Sequence, residues 1–268
     1  MLDRFDREIN SLRISVTDRC NLRCVYCMPE SGIMLKKRED ILSYEQIEKI
    51  GQVAAEMGIT KMRLTGGEPL VRRDIETLVG RLSRIRGLNE LCLTTNGTRL
   101  SEMALKLKVN GLSRVNISMD TMDPHRYRAI TRGGDLCKVL EGIDAALDAG
   151  LTPIKVNMVI LEDTTEVEVE RVHEFCKQKG LQLQKIIQFS LCDRQNLKMR
   201  FHAERPPKCS ACNKLRLTVD GFLKPCLFSE NEIKVDLDDI QRSLLDAVAR
   251  KPESGSSCRN RSMCQIGG

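Results

Sequence analysis

The chain contains no tryptophan, only 3% aromatic residues and three histidines. So few rings argue against a stacking platform for single-stranded nucleic acid, and no basic stripe interleaved with aromatics marks a recognised nucleic-acid module. His125, His173 and His202 read as surface or loop residues without the surroundings of a general base. No apolar run approaches the roughly 18 residues of a membrane span. Residues 1–8, MLDRFDRE, mix both charge signs and lack the apolar stretch of an export signal. The expected location is therefore the cytoplasm, where a disulfide framework is not expected. What the sequence does have is twelve cysteines, and in a reducing compartment these point to metal ligation or redox chemistry. Apolar residues at 41% and charged residues at 30% exclude disorder as the dominant state. The formal charge of +6, from 43 Lys+Arg against 37 Asp+Glu, suits a small anionic ligand at least as well as a polynucleotide.

A length of 268 residues fits one large domain, or one domain with an appended module. Short β-branched runs at 12–16, 61–65, 91–95, 114–118, 154–160 and 183–189 predict strands. Amphipathic patterns near 44–57, 72–85, 101–109, 136–149 and 165–179 predict helices, several stopped by glycine. Alternation of this kind implies an α/β fold with a parallel sheet. Right-handed crossovers curl it into a barrel or part of one, with functional groups just after the strand C-termini. From residue 191 the pattern changes to a short strand–turn–strand around Asp220-Gly221 and a helix at about 236–250. The expected division is 1–190 for the barrel and 191–268 for a small metal-bearing C-terminal appendage.

Two sets of three cysteines stand out. Cys20, Cys24 and Cys27 are spaced C-x3-C-x2-C directly after the first predicted strand. One loop with such spacing can wrap an iron–sulfur cluster and leave one iron open, or form a zinc knuckle with a fourth ligand from elsewhere. Gly66-Gly67-Glu68-Pro69 follows the second strand and, alone, reads as a turn needing glycine. Cys209, Cys212 and Cys226 form the second set. Spacing leaves the same two readings for it, with Cys258, Cys264 or His202 available as a fourth zinc ligand. Cys92, Cys137, Cys176 and Cys192 read as free buried thiols. Cys258 and Cys264 bracket the tail and are assigned a structural role.

The C-x3-C-x2-C loop, with Tyr26 before its last cysteine, together with the Gly66–Pro69 segment, resembles the radical S-adenosylmethionine (SAM) superfamily. The segments LRISVTDRC (12–20), CSACNKLRLTVDGFLKPCLFS (209–229) and RSMCQIGG (261–268) are similar to the GTP 3′,8-cyclase (MoaA) family of molybdenum cofactor biosynthesis. That resemblance covers nearly the whole chain. It implies a partial (β/α)6 barrel of radical SAM type with a small C-terminal iron–sulfur-binding appendage. It also implies two [4Fe–4S] clusters, SAM as the source of a 5′-deoxyadenosyl radical, and conversion of GTP to 3′,8-cyclo-7,8-dihydro-GTP. A reducing electron donor and a downstream cyclic pyranopterin monophosphate synthase are the implied partners; no nucleic acid or membrane is, and a homodimer is compatible with the reading.

By the same resemblance, Cys20, Cys24 and Cys27 hold the SAM cluster. Tyr26, Gly66, Gly67, Glu68, Ser118 and Ser190 fall at SAM positions, and Ser190 replaces a common methionine. Arg13, Arg63, Thr94, Lys155, Lys185, Lys214 and Arg216 fall where the family contacts GTP or lines its site, with lysine in place of arginine at 185 and 214. Cys209, Cys212 and Cys226 match the second cluster's ligands, and Gly267 and Gly268 match a C-terminal pair that reaches the active site. The family's segment between the sixth strand and the second cluster is longer than the 191–208 found here. Two rival readings are a two-cluster radical SAM enzyme acting on another nucleotide or on a peptide (SPASM/Twitch-like), and a non-catalytic iron–sulfur or zinc protein.

Overall fold

The computed structural model describes residues 1–192 and 209–267. Five strand–helix units and a sixth strand come first: β1 (Ser11–Ser15), α1 (Tyr44–Glu56), β2 (Lys61–Thr65), α2 (Ile75–Ser83), β3 (Glu90–Thr95), α3 (Leu100–Val109), β4 (Arg114–Ser118), α4 (Pro124–Thr131), α5 (Leu136–Asp148), β5 (Lys155–Ile160), α6 (Glu166–Gln178) and β6 (Gln182–Ile187). Then follow β7 (Lys214–Leu217), β8 (Phe222–Lys224), β9 (Ile233–Lys234), α7 (Ile240–Ala249) and α8 (Met263–Ile266). Local chemistry starts the helices where they start. Ser43 and Gln46 form a capping box on α1, and Thr165 and Glu168 form one on α6. The sequence reading omits α4, although its signature is plain: Asp123 caps the His125 and Arg126 amides, and Pro124 occupies the first turn. It also omits β9 and α8.

The strands form one open sheet in the order β6-β5-β4-β3-β2-β1-β7-β8-β9, with β1 to β6 parallel. Apolar side chains on the helix side, such as Leu12, Ile14, Met62, Leu64, Leu93, Val115, Val156 and Met158, pack against α1 to α6 and make the main core. The expected hairpin around Asp220-Gly221 is present as antiparallel β7 and β8, with Gly221 at φ +81° in the turn. Its placement carries more information than its existence. β7 pairs in parallel with β1, Arg13 opposite Arg216, so the C-terminal strands continue the barrel sheet. Among the described residues no helix is long and apolar enough to cross a membrane. The four isolated cysteines divide: Cys92 and Cys176 are buried as expected, but Cys137 on the outer face of α5 and Cys192 after β6 are exposed.

Candidate active site

The ends of β1 and β2 are stitched together by their following loops. Val16 donates its amide to the Thr65 carbonyl, Gly67 to Thr17 (2.7 Å) and Glu68 to Arg19 (2.8 Å). This contact leaves no room for side chains. A Cβ at Gly66, whose φ is +142°, would lie 2.3 Å from the Thr17 oxygen, and one at Gly67 would lie 2.2 Å from the Arg19 oxygen. The Glu68 carboxylate turns inward and accepts from the Leu70 amide, the Thr95 hydroxyl and the Asn96 amide, tying the loop after β2 to that after β3. Burial pushes Glu68 up to about 6 against the pull of those donors. By the resemblance above this turn is the SAM cradle, and on that expectation Gly67→Ala weakens SAM binding by about 100-fold or more, because the backbone contact must open. Equilibrium binding of SAM to the anaerobic, iron-loaded protein measures it, with circular dichroism as a control for folding.

The first cysteine loop lies beside this cradle and rests on α4. Arg23 and Val25 donate their amides to the Thr131 and Ile130 carbonyls, and Arg132 reaches the carbonyls of Arg23 and Met28. Tyr26 donates its hydroxyl to buried Asp120 at 2.8 Å, and Asp120 also accepts from the Val159 amide. Cys20, Cys24 and Cys27 all line the central cavity. Burial pushes the Cys20 and Cys24 thiols up to about 11 and 12, and Cys27 higher still. A bound metal reverses that preference, since a coordinating thiol is deprotonated.

Register supplies a row of cations on the cavity face. Arg216, Arg13 and Arg63 stand opposite one another across β7, β1 and β2. Arg63 donates to Thr94 Oγ1 at 3.3 Å. One step along the sheet, Asn116 pairs with Lys155 and Ser118 with Asn157, on that same face. Ser15 Oγ, Thr65 Oγ1 and Asn157 Oδ1 are buried here with no hydrogen-bond partner among the described residues. Such atoms are costly to leave unsatisfied and fit a polar ligand.

The C-terminal tail closes one side. Gly267, at φ +66°, presents its carbonyl to Arg216 Nη1 at 2.6 Å and Arg13 Nη1 at 3.4 Å. Arg261 anchors the tail through Asp220 (2.7 Å) and a two-toothed pair with Glu232 (2.8 Å to each oxygen), and Lys36 adds to Asp220 at 3.0 Å. Burial alone would raise the Asp220 carboxyl, but hydrogen bonds from Arg261, Thr218 and Lys36 bring it down to about 2.

Cys209, Cys212 and Cys226 line that cavity from the side of β7 and β8, with Lys214 and Arg216 between them. Burial pushes the Cys212 thiol up, but Lys251 and the Lys214 amide outweigh it, and the net shift is downward. Among the described residues no three His, Cys, Asp or Glu side chains converge as they would on a single metal ion. Three thiols facing one space, on one loop for the first set and on the two segments flanking the β7–β8 hairpin for the second, suit a polynuclear cluster, whose cysteine ligands attach to separate irons.

The structure thus gathers Cys20, Cys24, Cys27, Tyr26, Gly66, Gly67, Glu68, Arg13, Thr94, Ser118, Cys209, Cys212, Cys226, Lys214 and Arg216 around one cavity. Arg63 and Lys155 share its face by register. Two residues are not brought in. Lys185 pairs with Met158, whose side chain is in the helix-side core, whereas its neighbour Gln184 pairs with cavity-lining Asn157. Ser190 is exposed beyond β6, and its hydroxyl accepts from the Cys192 amide. Gly268, His202 and most of 191–208 lie outside the described residues. Cys264 is buried and close enough to Cys20 and Cys27 for the thiols to interact electrostatically, which places it by the first cysteine set. Sequence reasoning overlooked Asp120 and Asn96, both immediately past strand ends, where a parallel sheet presents functional groups.

Comparison with known proteins agrees with this geometry. Residues 14–176 match the radical SAM superfamily. The chain is 36% identical over 323 residues to a GTP 3′,8-cyclase of Petrotoga mobilis, covering 100% of each chain. It is 41% identical over 322 residues to that of Peptoclostridium acidaminophilum, covering 100% of this chain and 98% of the relative. Both alignments are longer than the 268 residues available, so both relatives carry stretches without a counterpart here. Among solved structures, Streptococcus suis SuiB bound to the precursor peptide SuiA superposes with a TM-score of 0.70 at 14% identity, over 92% of this chain and 66% of that one. The chain therefore spans just under two thirds of SuiB. Native anSMEcpe with bound AdoMet superposes with a TM-score of 0.62 at 18% identity, over 91% of this chain and 81% of that one. At these identities the two likenesses are of fold.

Proposed function

Because the chain belongs to the radical SAM superfamily and, within it, to the GTP 3′,8-cyclases, we propose that it converts GTP to 3′,8-cyclo-7,8-dihydro-GTP for molybdenum cofactor synthesis. One observation carries the reading: both cysteine sets and a row of cations open onto a single cavity. Cys20, Cys24 and Cys27 would hold a [4Fe–4S] cluster that, with SAM bound, would supply a carbon radical able to remove a ribose hydrogen.

The protein's own work is binding and placement. The Gly66–Gly67 backbone and Ser118 would take the methionyl end of SAM, and Glu68 holds that cradle rigid by linking two loops. Arg13, Arg63, Lys155, Lys214 and Arg216 would offset the charge of a triphosphate, arginine by its two-toothed fork and lysine as a point charge. Thr94, Ser15, Thr65 and Asn157 offer polar atoms to ribose and base. Cys209, Cys212 and Cys226 would hold a second [4Fe–4S] cluster with an iron open toward the base, and the Gly267 carbonyl orients Arg13 and Arg216. Lys185 and Ser190 would act only after a change of conformation. We assign 1–190 to the SAM half and 191–268 to the second-cluster half of a cytoplasmic enzyme. It takes electrons from a reducing donor and passes product to a cyclic pyranopterin monophosphate synthase. The row of cations favours a nucleotide over a peptide.

Arg216→Met tests the anion site. Loss of one charged, forked partner should weaken GTP binding by roughly 10- to 100-fold, or about 1.5–3 kcal/mol, while SAM cleavage without GTP stays at the wild-type rate. Equilibrium dialysis with labelled GTP under anaerobic conditions reads the first, and 5′-deoxyadenosine formation the second. Unchanged GTP affinity would remove Arg216 from the substrate site.

A further inference from the structure

The segment after α7 packs behind the second cysteine set, lying against Cys212 and Cys226, with Arg7 bridging it to Cys209. Lys251, just past α7, is 1% exposed. An ammonium has three donors, and those of Lys251 reach the Lys214 carbonyl (2.7 Å), the Pro225 carbonyl (2.7 Å) and Cys212 Sγ (3.4 Å). Two of these acceptors are neutral peptide oxygens. The sulfur is the only one of the three able to carry a compensating charge, and a buried charge is costly without one.

The next residues are pinned as firmly. Arg7, paired with Asp3 at 2.7 Å, sends its guanidinium to the carbonyls of Pro252 (2.7 Å) and Glu253 (2.9 Å), and also to Cys209 O (2.9 Å). At Gly255 an added Cβ would lie 2.6 Å from Cys226 Sγ. Residues 251–255 therefore form a strap whose buried lysine is aimed at a thiol and fixed from both sides.

We propose that Lys251 is a positioning residue for the second cluster, its fixed charge orienting Cys212 and raising that cluster's reduction potential. This rests on the reading above that Cys209, Cys212 and Cys226 hold iron. Cluster potentials respond to net charge and to hydrogen bonds on the sulfurs. A cation in van der Waals reach of a ligand stabilises the more negative, reduced cluster over the oxidised one.

The test uses full-length protein carrying Cys20→Ala, Cys24→Ala and Cys27→Ala, so that any cluster assembled anaerobically is the second. Iron and sulfide are counted, and the reduced cluster is titrated by electron paramagnetic resonance. Lys251→Gln should lower the reduced-to-oxidised ratio at a fixed potential about tenfold, equivalent to about 59 mV for one electron. Lys251→Arg, which keeps the charge, should recover most of that ratio. A second readout leaves Lys251 in place: with [ε-15N]lysine, electron–nuclear double resonance should detect a nitrogen coupling to the reduced cluster, and Lys251→Arg should remove it. A cluster with neither the potential shift nor the coupling overturns the role of Lys251 alone. A triple variant that takes up no iron overturns the second-cluster reading and this inference with it.

Discussion

Replacing Cys20, Cys24 and Cys27 together by alanine is expected to abolish reductive SAM cleavage. The loss should reach at least about six orders of magnitude, the lower end of enzymatic rate enhancement. The fold should survive the change. The loop is held through backbone contacts to Ile130 and Thr131, through Arg132, and through the Tyr26–Asp120 hydrogen bond. None of these uses a cysteine sulfur, so the variant loses its cluster ligands and keeps its shape. The measurement is 5′-deoxyadenosine by chromatography alongside iron content and circular dichroism. One cluster's worth of iron should remain, on the second set. Continued SAM cleavage would remove these cysteines from the chemistry.

Cys209, Cys212 and Cys226 changed together to alanine should give the complementary result. SAM cleavage should persist without coupling to product, and cyclised product should fall by at least about 100-fold, the scale of loss from misplacing a reacting group. The asymmetry follows from the sheet. The cradle proposed for SAM is built from loops after β1, β2 and β3 resting on α4, whereas the second set flanks β7 and β8. The β1–β7 pairing, the Gly267 carbonyl shared by Arg13 and Arg216, and Lys36 between Asp18 and Asp220 connect the two. Product formation and 5′-deoxyadenosine release, measured in the same reaction, separate the two roles. Full coupled turnover in this variant would contradict a substrate-binding second site.

Much of this architecture was legible from the sequence because its signals are local. Strand and helix periodicity, the two cysteine spacings and the Gly66–Pro69 turn each lie within a few residues. What was not legible depends on long-range register. The Arg216–Arg13–Arg63 row exists because β7 joins β1 from some 200 positions away, and no local pattern reports that pairing. A slip of one residue exchanges the faces of a strand, which is how Lys185 comes to share Met158's side while Gln184 shares Asn157's. Glu68 falls at a SAM position by resemblance, but no local pattern reports that its carboxylate accepts from Leu70, Thr95 and Asn96 and so links two loops. Lys251 gave no sequence signal, since a lysine after a helix is ordinarily a solvated charge.

The central claim is that the two cysteine sets and the cation row serve one reaction at the ribose of GTP. Anaerobic turnover with SAM, dithionite and GTP deuterated at the ribose 3′ position tests it most directly, with mass spectrometry of the 5′-deoxyadenosine as readout. The account predicts that deuterium appears in the 5′-deoxyadenosine as GTP is consumed. SAM cleavage with no deuterium transferred would contradict it and point to a different nucleotide or a peptide.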